Sequence, residues 1–213
     1  MDYKNSALRA LLQVPIGICL SFLCLFVPSA AEANLRSTFP GRRVGGGTRG
    51  ECTSRILAHL VPASSVYSPG ASGVLGLVQG PATKPVGLTM TFQPQTGGAA
   101  SSRTLDASNA GFILVRMAVL KEPVVWQSGF DCASKDDLAQ SDPLVFVEAV
   151  SPPAVSLLLL EQEPFDAAVQ VALQELLQRC GATVPTRSTL AKFGLVDVVT
   201  ARWPEQLPVR CPG

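Results

Sequence analysis

Between Ser54 and Val150 the apolar residues of this chain come in short runs, and proline or glycine closes most of them. Runs of five to nine residues bounded by turn formers suit short strands and leave no room for long helices. The clearest is "VGLTMTFQ". Val86, Leu88, Met90 and Phe92 alternate with Gly87, Thr89, Thr91 and Gln93. A period of two predicts a strand with one buried and one wet face. "GFILVRMAVL" is apolar on both faces except at Arg116, which predicts a central strand. "EPVVWQSGFDC" alternates Val124, Trp126, Ser128 and Phe130 with Val125, Gln127 and Gly129. "SRILAHLVP", "VLGLVQG" and "LVFVEAV" (residues 144–150) complete the set, while "SSVYSPGASG", "PQTGGAASS" and "SKDDLAQSDP" read as loops.

The pattern then changes. In "EPFDAAVQVALQELLQRCG", Phe165, Val169, Ala172, Leu173, Leu176 and Cys180 recur at helical spacing, so they predict the buried face of a helix. Pro164 suits its first turn, Glu163 and Asp166 its positive end, Arg179 its negative end, and Gly181 its stop. A weaker helix is expected in "STLAKFGLVDVVTARW", capped by Ser188 and opposed by Gly194 and a β-branched run. The tail "PEQLPVRCPG" looks too rich in proline for regular structure. The expected fold is mainly β: a β-sandwich-like domain of short antiparallel strands over residues 51–162, then one or two C-terminal helices within 163–213, with α+β as the alternative.

The N-terminus predicts export. Lys4 and Arg9 precede a charge-free stretch at residues 11–27, and "PSAAEAN" follows with an A-x-A site at Ala31–Ala33. This is the order of a secretory signal peptide, with cleavage expected after Ala33. The alternative, a retained anchor, has only 17 apolar residues interrupted by Pro15 and Gly17. Beyond residue 33 the chain keeps four cysteines, Cys52, Cys132, Cys180 and Cys211. An even number in an oxidising compartment predicts two disulfides. Three connectivities are open; the expectation pairs Cys52 with Cys132 and Cys180 with Cys211, the latter tying down the tail.

Removing residues 1–33 leaves 15 basic and 14 acidic side chains, a balance that argues against nucleic acid or an anionic membrane surface as the partner. Residues 34–50 are polar and glycine-rich, so a flexible lead-in is expected there. They contain "GRRVGGGTRG", in which Gly45, Gly47 and Gly50 match G-x-G-x-x-G. A dinucleotide site needs a strand before the glycines, a helix after them and an acid about 20 residues on. None of these is present. A phosphate loop fails because Gly47 stands where its lysine belongs. Neither a nucleotide nor another cofactor is expected. Arg42, Arg43 and Arg49, with the neighbouring amides, remain candidate anion contacts.

Catalysis has little support. A single histidine, His59, lies in an apolar strand and reads as a partly exposed sheet residue, and no G-x-S-x-G is present. It is also too isolated for a zinc site, and no metal is expected. Asp131, Asp136, Asp137 and Glu148 could in principle supply a carboxylate pair for hydrolysis, but read more simply as solvated loop acids. Trp126 and Arg116 read as core and edge residues.

The residues Gly45–Cys52, Leu57–Pro62, and Trp126 with Cys132 resemble an exported cyanobacterial family of unknown function that opens on G-G-G-[ST]-R-G-x-C and continues into a strand ending L-V-P. The chain departs from that pattern in having only Phe92 in its "TMTFQPQ" strand and "FGLVDVV" late in the sequence. The resemblance implies a β-sandwich-like middle and a Cys52–Cys132 bridge, and offers no catalytic residues. The expected function is a non-enzymatic binding or interaction module of the periplasm or cell envelope, meeting a protein or an envelope component, with no membrane span once the signal is removed. An exported hydrolase with a carboxylate pair and a purely structural envelope protein are the alternatives.

Overall fold

The computed structural model describes residues 35–47, 55–131 and 152–212. The expected signal peptide, the strand at 144–150, Cys52, Cys132, Arg49, Asp136, Asp137 and Glu148 lie outside these residues.

Two sheets and one helix form three layers. The first sheet has six strands in the order β1 (Val44–Gly47), β2 (Arg55–His59), β4 (Val74–Gln79), β7 (Gly111–Arg116), β11 (Gln206–Arg210) and β10 (Thr183–Pro185). The second has five, β3 (Val66–Tyr67), β9 (Ala154–Leu158), β8 (Val124–Phe130), β5 (Leu88–Pro94) and β6 (Ser101–Leu105). Most neighbours are antiparallel, but β11 runs parallel to β7 and β3 parallel to β9. The fold is thus mainly β and sandwich-like. Helix α1 (Pro164–Leu177) packs on β4 and β7, across the first sheet from the second. A Cβ at Gly76 would collide with Leu173 of that helix, so glycine lets it approach closely.

This layering explains the strand sequences. β4 and most of β7 are buried, because one face meets the second sheet and the other meets α1. A strand covered on both sides reads as a continuous apolar run. In β5, Leu88 and Met90 are buried while Thr89 and Thr91 are partly exposed, as a half-wet strand requires.

The structure revises several expectations. The lead-in is not a free tether: residues 35–38 are helical and Val44–Gly47 is strand β1. Its glycines serve close approach. A Cβ at Gly45 would strike Ala154 N and Pro152 O, and Gly46 has φ +128° with its Cβ position against Arg55 O. Gly46 N donates to Pro152 O at 3.0 Å, and Arg42 exchanges backbone bonds with Val155 at 2.9 and 2.7 Å. The glycine run is therefore where the first sheet is stitched to the second.

Strands also arise where loops or no regular structure were expected, β3 within "SSVYSPGASG" and β10 among them. β6 is polar and mostly exposed, so it lacks a hydrophobic signature. β9 begins directly after Pro153. β11 holds the tail between β7 and β10, so two strands that follow the expected C-terminal helix join the first sheet. Pro208 is tolerated there by alternation. Val209 bonds to Ala182 and Gly181 on the β10 side, so the missing N–H of Pro208 faces β7, where pairing involves only Val209 and Arg210. The weaker helix is short: α2 spans Thr186–Ala191 with Pro185 as its N-cap, ahead of Gly194 at φ +62° and a 3-10 turn at Val196–Val198.

Candidate binding surface

Helix α1 is held at both ends. At its start, Glu163 and Asp166 form a reciprocal capping box, with Glu163 N donating to Asp166 Oδ2 at 2.9 Å. Asp166 is fully buried and is met by Arg36, whose Nη2 lies 2.9 Å from Oδ2 and whose Nε lies 3.2 Å from Glu163 Oε1. The Leu35 and Phe39 side chains around Arg36 pack on Val66, Leu157 and Leu159. Burial, and then the nearby Asp166 charge, push the Tyr67 phenol pKa up. At the far end, Cys180 is joined to Cys211, just beyond β11, with 5.7 Å between their Cα atoms. The expected Cys180–Cys211 bridge is present.

Val169, Ala172, Leu173 and Leu176 face the sheet. Phe165, expected among them, is instead 76 % exposed, because Asp166, bonded to Arg36, takes the inward position in the first turn; Cys180, also expected on that face, is exposed and lies beyond the helix end at Leu177. On the outward side Ala167, Val171, Gln174 and Gln178 follow one another at spacings of four, three and four, which places them in one stripe. Val171 is 61 % exposed. The outer face of a surface helix ordinarily carries many charges. Here the only exposed charge within α1 is Glu175, and Lys192 pairs with it.

A hollow flanks each side of this ridge. One, of about 430 Å³, is lined by Ser72, Gln170 and the ridge residues, with Glu175 as its one charged side chain. The other, of about 330 Å³, lies between α1 and α2, where Leu176, Val184, Pro185 and Thr189 meet Arg179 and Lys192. Gln170 Nε2 donates to Ser68 O at 2.7 Å and so fixes the wall of the first. The stripe itself is uncharged, and Glu175, which borders both recesses, is paired with Lys192; such a stripe suits contact with another protein's side chains, since interface cores are depleted of charge.

The remaining candidates are placed as follows. The Arg43 guanidinium binds backbone carbonyls: Nη1 donates to Val61 O at 2.8 Å and Phe193 O at 2.7 Å, and Nη2 to Gly194 O at 2.8 Å. Arg42 donates to Pro153 O at 3.2 Å. The Gly46 amide, part of the supposed nest, is bound to Pro152 O. Asp131 accepts from Thr89 Oγ1 at 2.8 Å at the surface. Glu163 and Asp166 are the carboxylates that do converge, and their bonds to the helix end and to Arg36 give them a structural role. Among the described residues, no three His, Cys, Asp or Glu side chains gather to hold a metal, and no helix is long and apolar enough to cross a membrane.

His59 differs most from expectation. It is fully buried between the sheets, its ring stacked on Trp126 at 3.5 Å between centroids and 6° between planes. Nδ1 lies 2.8 Å from Ser156 Oγ, and Nε2 has no hydrogen-bond partner. Trp126 is a core residue, as expected. No family model, curated protein or solved structure matches this chain.

Proposed function

We propose that the protein is an exported, non-enzymatic interaction module that binds a protein partner through the outer ridge of α1. The observation that carries this reading is the ridge itself: a helix of nearly four turns whose exposed stripe is alanine, valine and glutamine, with exposed Phe165 at its start and a recess on either side. Such a stripe suits a partner helix or loop presenting apolar and amide groups. The ridge is backed by a buried cap and a disulfide, so little ordering would be needed on binding. Export rests on the N-terminal signal pattern, and the Cys180–Cys211 bridge agrees with an oxidising compartment. Resemblance to the exported cyanobacterial family, carried by its opening motif, points the same way.

The test uses the full chain, secreted and recovered with whatever co-purifies from the envelope fraction. Wild type and an Arg116→Glu control should retain a stoichiometric protein that Val171→Arg loses, while all three keep the same melting temperature. Equal retention by Val171→Arg would remove α1 as the binding face.

A further inference from the structure

The ring of His59 sits where the sandwich is pinned shut. It lies at the last position of β2, four residues along the same face from Arg55, and it reaches the second sheet at Trp126 of β8 and Ser156 of β9. These last two stand directly opposite each other in the β8–β9 register. Its own backbone N–H donates to Arg43 O at 2.8 Å beside β1. One imidazole thus touches both partner strands across the layer.

Its polar surroundings suit only a neutral ring. Ser156 Oγ meets one nitrogen; the other, Nε2, is buried without a partner, as are Trp126 Nε1 and Ser128 Oγ on the same face of β8. A protonated imidazole would carry two N–H donors, and one would have no acceptor. The charged side chains on the strand and segment around it are Arg55 and Arg43, which share the sign of an imidazolium; Asp197 acts on Arg43. The facing residue of β4 is Leu77.

We propose that the His59–Trp126 stack is a proton-operated latch between the two sheets, closed while the imidazole is neutral and released when it takes a proton, freeing the β1–β2 edge from β8 and β9. Burial holds the proton affinity of the closed ring well below that of a free histidine. The sign follows. A depressed value means that the open form binds the extra proton, so closure is complete above the open-form pKa of about 6.5 and weakens as pH falls below it. One proton per opening gives a tenfold rise in the open-to-closed ratio for each pH unit below about 6.5. An exported protein would meet such a change whenever its surroundings acidify. The reading is independent of the α1 ridge.

Hydrogen exchange read by mass spectrometry on the intact oxidised chain, corrected for intrinsic rates, tests this between pH 7.5 and 5. Peptides covering β2 and β9 should open about tenfold more per pH unit below 6.5, and His59→Phe, which keeps a stacking ring, should flatten that dependence. A flat wild-type profile, or the same slope in His59→Phe, overturns the latch. If His59→Phe does not fold, the chain's single histidine can be followed by NMR in the wild type. Its closed-state resonance should stay fixed down to pH 5 while a second, protonated resonance grows. Titration of the closed-state resonance itself near pH 6.5 would show that the ring takes a proton without release, and overturns the proposal.

Discussion

Replacing both Cys180 and Cys211 by serine removes a crosslink that closes a 31-residue separation. That loop contains β10, α2 and β11, so the bond fastens the inserted strand β11 to the end of α1. Chain-entropy loss of about 2.1 plus 1.5R ln n cal/mol/K gives about 3.7 kcal/mol at 25 °C for this loop. For a domain of this size each kcal/mol moves the melting temperature by about 2 to 4 °C, so a fall of roughly 7 to 15 °C is expected. The double-serine protein separates this bond from any other thiol chemistry, which reduction of the wild type would not. Urea denaturation should give the free-energy loss, and hydrogen exchange should place the largest local change in β11. A loss below about 1 kcal/mol would refute the reasoning, because the bond would then close no loop that matters to the unfolded chain.

Arg36→Met should cost about 3 kcal/mol in urea denaturation, since it leaves the Asp166 carboxylate buried beside an apolar chain. Adding Asp166→Asn should recover part of that loss; no recovery would mean that the charge is not what Arg36 answers. Gly46→Ala should cost about 2 kcal/mol or more, because φ +128° disfavours a side chain and the new Cβ meets Arg55 O. A neutral effect on the thermal midpoint would contradict the stitching role of β1.

The central strands were legible because burial on both faces leaves an unbroken apolar run, and α1 because its sheet-facing residues recur at helical spacing. Strands without those marks were not. β6 is an exposed edge of serine, threonine and arginine, and β11 carries Pro208 at a position that needs no N–H toward β10. The glycine run resembled a phosphate cradle because close backbone approach asks for glycine whatever it approaches, and here it approaches Pro152–Ala154. Arg36 and Asp166 are separated by 130 residues and His59 and Ser156 by 97, so no local pattern could join them. The outer stripe of α1 was present in the sequence as the complement of the buried face. The exposure of Phe165 was not, because it depends on Asp166 turning inward to meet Arg36, 130 residues away.

The α1 ridge is the central claim, and a photo-crosslinking residue at position 171 tests it most directly. Placed in the full chain, it should yield one discrete crosslinked protein species, and the same probe at position 116 should yield none. A product at 116 with none at 171 would contradict the assignment of α1 as the face that meets a partner.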